Sequence, residues 1–443
     1  MIKISLPPKA AEIIDRLEAR GYEAYAVGGC VRDSILGRQP QDWDITTSAA
    51  PHEVKAVFSH TIDTGIAHGT VTVMLGREGF EVTTYRIDGE YEDARHPKEV
   101  RFTPDLLEDL KRRDFTVNAM AYNETKGLVD AFDGIKDLKR GVIRCVGNAK
   151  DRFTEDALRM LRAVRFAAQL GFAVEEETAE AMRALAGNIA KVSAERIQME
   201  LVKLLLSPHP EELRLAYETG LTGVFLPEFD RMMETPQNHP HHCHTVGEHT
   251  ILAVANIRAD RVLRLSMLFH DIAKPKCRTT DENGTDHFHG HQQAGSEMTR
   301  QILRRLKFDN DTTGRVCRLV RWHDDRPELS EKSVRRAVSR IGFAQYPELF
   351  EVKRADILAQ SDYRRPEKLA YVDAYERIYR EIRKRRQCLC LKDLAVTGRD
   401  LIESAGMKPG PGLGAVLEEL LEAVLEDPEK NTRETLLALA KKS

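Results

Sequence analysis

Residues 25–49 read YAVGGCVRDSILGRQPQDWDITTSA, and this stretch decides how the front of the chain is built. Tyr22–Val27 reads as a strand, Gly28-Gly29 breaks it, and Cys30–Leu36 reads as a short helix stopped at Gly37. Trp43–Thr46 reads as a second strand. Asp42 and Asp44 stand at i and i+2 on an extended segment, so their carboxylates project from one face. Carboxylates so placed can share divalent cations. Mg²⁺ suits them because it keeps water and phosphate oxygens as its other ligands. Gly28-Gly29 lets backbone amides approach a phosphate chain with no side chain in the way. Arg32 is placed to meet phosphate charge, and Asp33 to orient Arg32. The set points to a metal-dependent nucleotidyl-transfer site with Asp42 and Asp44 as the catalytic metal ligands.

Outward from this stretch, apolar Ile13, Ile14 and Leu17 predict a helix over 9–20 that stops at Gly21. Pro51 opens a helix over 51–58. Val71–Leu75 and Phe80–Tyr85 alternate like paired strands, residues 87–104 form a polar loop, and Phe115–Tyr122 and Val142–Val146 complete the sheet. Residues 1–147 are thus a small mixed sheet with helices. From Asp151 onward the periodicity is helical. The expected divisions are a helical neck and body over 148–225, a histidine-bearing helical domain over 226–365 and a charged helical tail over 366–443. The tail is interrupted at Met407–Gly412.

A length of 443 residues suggests about three domains. The net charge is only −3, so a polyanion must be met by local patches. Lys111–Arg113, the Arg159/Arg162/Arg165 series and Arg377–Arg386 supply them. The seven cysteines contain no CxxC pair, which fits reduced thiols in a cytosolic protein. The opening residues MIKISLPPKA have no signal-peptide core, and no run reaches the roughly 20 apolar residues of a membrane span. The expectation is a cytoplasmic protein with no membrane partner.

The 25–49 stretch resembles the head-domain signature of class II tRNA nucleotidyltransferases and bacterial poly(A) polymerases. The resemblance continues through Asp93–Pro97 and Val100–Phe102, similar to that family's flexible loop, and through Lys111–Met120. It implies that Asp42 and Asp44 hold Mg²⁺, and that Arg113 and Asn118 join Gly28, Gly29 and Arg32 in nucleotide binding. Glu81, on a neighbouring strand, is read as support for the sheet.

A second constellation is Glu155, Asp156, Arg159, Arg162, Arg165 and Phe166. On one helix, Asp156 and Arg159 would be surface neighbours. The segment resembles the family's EDxxR nucleotide-selection motif followed by RxxRF. A carboxylate and a guanidinium together offer acceptors and donors to the Watson–Crick edge of cytosine or adenine. Ser193–Arg196 and Glu200-Leu201 resemble a following family helix.

The third constellation is His249, His270-Asp271 and Asp356, whose order resembles the HD phosphohydrolase superfamily. Imidazoles and carboxylates on separate helices can meet in a bundle core around a divalent metal of unspecified identity. His289, His291 and His323 could extend the site to a second metal. The run His239–His244 is too tightly spaced for a closed zinc site and reads as loop. The tail segments Leu394–Leu401 and Gly410–Gly414 resemble the end of HD-containing family members.

The resemblances imply an HD-containing enzyme with tRNA, CTP and ATP as partners, adding C, C and A to a tRNA 3′ end. Poly(A) polymerase shares the head and is the first rival. The loop over 91–102 argues against a CC-only variant. A non-catalytic RNA-binding scaffold would have lost carboxylates, and none is lost.

Overall fold

The computed structural model describes residues 2–89 and 100–442. The chain divides into two compact units, residues 1–230 and 231–443. The first boundary expected from sequence near this division was 225/226. Those at 147/148 and 365/366 are internal to the units.

The first unit holds strands β1 (Ala24–Val27), β2 (Ile45–Thr47), β3 (Thr61–Gly65), β4 (Thr70–Leu75), β5 (Glu78–Thr84), β6 (Arg86–Asp88), β7 (Val100–Phe102), β8 (Met120–Asn123) and β9 (Gly127–Asp130). Seven of these form one mixed sheet in the order β3-β4-β5-β2-β1-β8-β9. Its pairings are antiparallel except β2 with β5. Ala26 pairs with Ile45 across β1 and β2, while Ile45 pairs with Val82 across β2 and β5. The end of β1, the start of β2 and Glu81 of β5 therefore meet at one edge. Every residue of β1 is buried, and Tyr25 and Val27 pack with Tyr85, Leu106, Leu110 and Ala121. The helix Pro8–Glu18 buries Ile13, Ile14 and Leu17. Each such burial contributes roughly 1.5–3 kcal/mol.

Several elements differ from the sequence expectation. Phe115–Tyr122 is not one strand: a tight 3₁₀ turn at Thr116–Asn118 precedes β8. Of the expected last strand, Val142–Ile143 pairs in parallel with Ala173–Val174 and Cys145 makes an isolated antiparallel bridge to Phe115. β3 and β9 were not foreseen; β3 is exposed through its centre and β9 is half-buried throughout, so neither shows an alternation of period two. The flanks of the expected 87–104 loop, β6 and β7, pair antiparallel. Its centre, including Asp93–Pro97, lies outside the described residues.

The helical segment beyond is not continuous either. Ala149–Glu155 ends at Asp156, whose φ of −140° and ψ of 103° are extended, and a new helix runs Leu158–Leu170. Asn148 caps the first helix through the amides of Lys150 and Asp151.

In the second unit, helices Val246–Ala255, Arg261–Phe269, His291–Arg305, Asn310–Trp322 and Tyr346–Ala359 build the histidine-bearing region. Helices Arg365–Lys384, Gly398–Ala405, Pro411–Glu426 and Arg433–Ala440 form the tail. Its core includes Val396, Leu401, Leu420, Val424 and Leu436.

Candidate active site

The backbone brings the first constellation together. Val27 donates its amide to the Asp44 carbonyl at 3.0 Å, which fixes the aspartate segment against the end of β1. Both Asp42 and Asp44 are exposed at this edge. Local desolvation and the neighbouring carboxylates Glu81 and Asp42 hold the Asp44 carboxyl above its usual range, against the pull of Arg113. Anionic oxygens crowded at one edge are a donor set suited to a hard divalent cation. Glu81 is exposed and stands electrostatically beside Asp44.

Gly28 turns the chain with φ at +82°, and a side chain there would meet Arg113 Nη1 at 3.1 Å. The glycine is required twice, for the backbone conformation and for the space beside Arg113. Arg113 is held from below by Asp109, which is fully buried. Asp109 also accepts from Thr46 Oγ1 at 3.1 Å and from Arg112 Nε at 2.9 Å. One carboxylate thus ties the strand that follows Asp44 to the nearby arginines. Sequence reasoning missed Asp109, although its spacing of three and four residues before Arg112 and Arg113 is an ion-pair signal.

A second chain of contacts runs inward. Arg32 donates to Asp33 at 2.8 Å and to Asn118 Oδ1 at 2.6 Å. Asn118 donates to Asp114 at 3.3 Å, and Asp114 accepts from Arg162 Nε at 2.8 Å. Burial opposes the Asp114 charge, but Arg162 and Arg159 override it and hold the carboxyl down at about 2. Phe166 lies beneath three guanidinium groups, 5.2 Å from Arg32, 5.4 Å from Arg162 and 3.9 Å from Arg165. Arg165 is locked by the buried Glu200. Arg32 and Arg165 are therefore half structural, while Arg162 keeps about a third of its side chain exposed.

The expected Asp156–Arg159 pairing is not made. The helix break at Asp156 sends its carboxylate to Arg196 Nη2 at 2.7 Å. Arg159 turns to Glu155 at 2.6 Å and to the Arg112 carbonyl at 3.0 Å. Acceptor and donor are held by separate partners on separate helices. Sequence reasoning failed here because Ala157 and Leu158 carry no helix-breaking signal.

In the second unit, His249, His270, Asp271 and Asp356 converge. His249 Nε2 lies 3.1 Å from His270 Nε2 and 2.9 Å from Asp356 Oδ1. His270 Nε2 lies 3.2 Å from Asp271 Oδ2. Burial opposes a charge on His270, but Asp271 and Asp356 override it and raise its pKa to about 10. Each ring turns its Nδ1 to a carbonyl, that of Ala359 for His249 and that of Met267 for His270. This leaves both Nε2 atoms facing the carboxylates, the arrangement in which histidine binds metal. His291 and His323 join the group at Asp271, whereas His289 instead stacks on His287. Of the His239–His244 loop, His242 lies edge-on to His249 at 5.4 Å.

Family models match three stretches of the chain. The poly(A) polymerase head domain model matches residues 24–144, the RNA- and SrmB-binding site of polymerase A matches 171–233, and tRNA nucleotidyltransferase domain 2 matches 291–440. A CCA-adding enzyme of Lactiplantibacillus plantarum is 36% identical over 444 residues, covering 100% of this chain and 98% of that one. One from Lactobacillus helveticus is 36% identical over 441 residues, covering 98% of both. The crystal structure of the Bacillus stearothermophilus CCA-adding enzyme in complex with CTP superposes with a TM-score of 0.74 at 31% identity, over 99% of this chain and 98% of that one. With 36% identity over essentially the full length of a curated relative, the chain belongs to the CCA-adding enzymes.

Proposed function

We propose that this chain adds C, C and A in turn to the 3′ end of tRNA, using CTP and ATP and releasing pyrophosphate. The observation that carries the reading is the head edge where Asp42, Asp44, Gly28 and Arg113 meet, followed by separately anchored Asp156 and Arg159. The reaction depends on a divalent metal, which we assign as Mg²⁺ held by Asp42 and Asp44. Bound there, it supplies charge neutralisation for the attacking 3′-hydroxyl and the departing pyrophosphate. The chain's own groups do the rest. The amides at Gly28-Gly29 and the guanidinium of Arg113 receive the triphosphate. Arg32 and Asn118 set the depth of the pocket, with Arg162 and Arg165 behind them. Asp156 and Arg159 offer an acceptor and a donor fork to the base edge, so protein side chains act as the template. Transfer then rests mainly on positioning and electrostatics.

In this reading residues 1–147 are the catalytic head, 148–225 select the nucleotide and hold RNA, 226–365 are the HD domain and 366–443 bind tRNA. Among the described residues, no helix is long and apolar enough to cross a membrane. The cytoplasm, where tRNA is processed, is the assigned location. Transcribed tRNA lacking its last three nucleotides, supplied with CTP and ATP, should gain C, C and A in order at one-nucleotide resolution. A long A tail would instead make the chain a poly(A) polymerase. Asp42→Ala should abolish addition and keep tRNA binding; continued addition would refute the metal assignment.

The convergence of His249, His270, Asp271 and Asp356 favours a second activity. We assign it as metal-dependent phosphohydrolysis of esters at RNA ends, such as 2′,3′-cyclic phosphates. No phosphate release from such an ester with any of Mg²⁺, Mn²⁺, Co²⁺ or Ni²⁺ would overturn it.

A further inference from the structure

We infer that Phe166 is a positioning residue for nucleotide binding, whose ring holds the guanidinium groups of Arg32 and Arg162 through its electron-rich face rather than by filling space alone. The inference rests on the nucleotide pocket proposed above and extends it to the aromatic side chain behind the arginines.

Three cations converge on this ring. The guanidinium carbons of Arg32, Arg162 and Arg165 lie 5.2, 5.4 and 3.9 Å from its centroid, all within reach of a cation–π contact. Each arginine also pairs with a carboxylate, Arg32 with Asp33, Arg162 with Asp114 and Arg165 with Glu200. Each of those carboxylates holds one guanidinium in an ion pair. The ring is common to all three.

Burial makes the choice of an aromatic side chain matter. Phe166, Arg32, Arg165, Asp114 and Glu200 are buried, so water does little to spread the charge. Burial first, and then the nearby Arg162, lower the pKa of Arg165 from its ordinary value against the pull of Glu200. The cations are therefore crowded enough to feel one another. An aliphatic side chain could fill the same space, but it has no negative face to set against a desolvated cation.

The fold fixes the ring in place. Arg162 and Phe166 stand four apart on the helix Leu158–Leu170 and so share a face, and Arg165 directly precedes the ring. Arg32 arrives from the helix Gly29–Ile35, just after the glycine turn. Phe115 packs on Phe166 nearly at right angles, with centroids 5.8 Å apart and planes at 80°. The amide of Phe115 donates to Asp114 Oδ1 at 2.8 Å, so one stretch of backbone supports both the ring and the carboxylate of Arg162. A change at the ring would reach Arg32, and through its 2.6 Å bond would reach Asn118.

Arg32 and Arg162 meet the nucleotide alike before and during transfer. Weakening their hold should therefore raise KM and leave kcat unchanged. Phenylalanines carrying one, two and three ring fluorines, placed at position 166 of the full chain, test this. Fluorine drains the ring face of electron density and nearly keeps the shape, so a purely space-filling role predicts no trend. Single additions of C or A to truncated tRNA supply the kinetics. KM for CTP and for ATP should rise with each fluorine, by about 5- to 30-fold over the series, with kcat at the parental value. Phe166→Leu should match or exceed the trifluorinated protein, and the fluorinated series decides alone if that variant does not fold. A flat series, or one that lowers kcat at constant KM, while Arg162→Ala still raises KM, would overturn the role of the ring and leave the pocket standing. Unchanged KM in both Arg32→Ala and Arg162→Ala would overturn the pocket and the inference with it.

Discussion

Asp156 accepts from Arg196 at 2.7 Å, while Arg159, three residues along the chain, pairs with Glu155 at 2.6 Å. The acceptor and donor proposed to read the base are thus held by different partners. Asp156 lies in the extended break between two helices and turns to Arg196, while Arg159, on the second helix, pairs back to Glu155 at the end of the first. Arg196 belongs to the helix Ala194–Leu205, which also supplies the Glu200 that locks Arg165.

Arg196→Ala should therefore act on nucleotide choice rather than on metal chemistry. Losing a hydrogen bond to a charged group costs roughly 1.5–3 kcal/mol, which is about a 10- to 100-fold drop in kcat/KM for CTP and ATP. Discrimination against UTP and GTP should fall with it, read by single-nucleotide extension of truncated tRNA. Unchanged discrimination would show that Arg196 supports the fold only.

Gly28→Ala addresses the triphosphate end. The added Cβ occupies a backbone with φ at +82° and lies 3.1 Å from Arg113 Nη1. The conformational strain alone is roughly 1–3 kcal/mol. Displacing Arg113 should raise KM for CTP and ATP by the same factor, because every nucleoside triphosphate presents the same phosphates. Unequal increases would mean that the glycine influences the base pocket.

The sheet edge was legible because a glycine pair after a strand and an aspartate pair before another leave clear marks on the local pattern. Asp42, Asp44, Gly28 and Arg113 meet at one edge in the fold, and the HD residues converge as their order implied. What stayed hidden depends on tertiary context. Nothing in Asp156-Ala157-Leu158 announces a break between helices; the break accompanies the long-range pairing of Asp156 with Arg196, 40 residues away. The 3₁₀ turn at Thr116–Asn118 is similarly set by packing, with Thr116 Oγ1 donating to the buried Asp137 at 2.6 Å. Beta-branched and aromatic residues around it read as strand until that contact is known.

Asp114 gives a pH signature. Its folded pKa of about 2 lies below the ordinary carboxylate value, so its stabilisation is complete above the unfolded pKa and is lost as pH falls toward 2. The shift corresponds to about 2 kcal/mol near neutrality. Asp114→Asn should lower the unfolding free energy by about that amount or more at pH 7, since Arg162 also loses its partner. The gap between variant and parent should shrink on acidification from pH 4 toward pH 2. A gap that stayed constant over this window would show that the pairing with Arg162 is not its source.

The two proposed activities draw on residues of different units, and a single ligand substitution should separate them. His249 is buried, and its Nδ1 faces the Ala359 carbonyl while its Nε2 faces His270 and Asp356. His249 belongs to the second unit and the head carboxylates to the first, so His249→Asn removes a proposed metal ligand and changes no head residue. Release of phosphate from a 2′,3′-cyclic ester should fall below detection, while addition of C, C and A to truncated tRNA continues at the parental rate. Binding of the metal should also be visible as stability, because an ion that binds only the folded chain adds about 2.7 kcal/mol at 100 times its dissociation constant. In the parent, Mn²⁺ or Ni²⁺ should raise the unfolding temperature of the second unit, and the His249 variant should lose most of that shift. Loss of CCA addition in a variant that is otherwise folded would mean that the histidine cluster serves nucleotide transfer, and the assignment of two independent activities would fail.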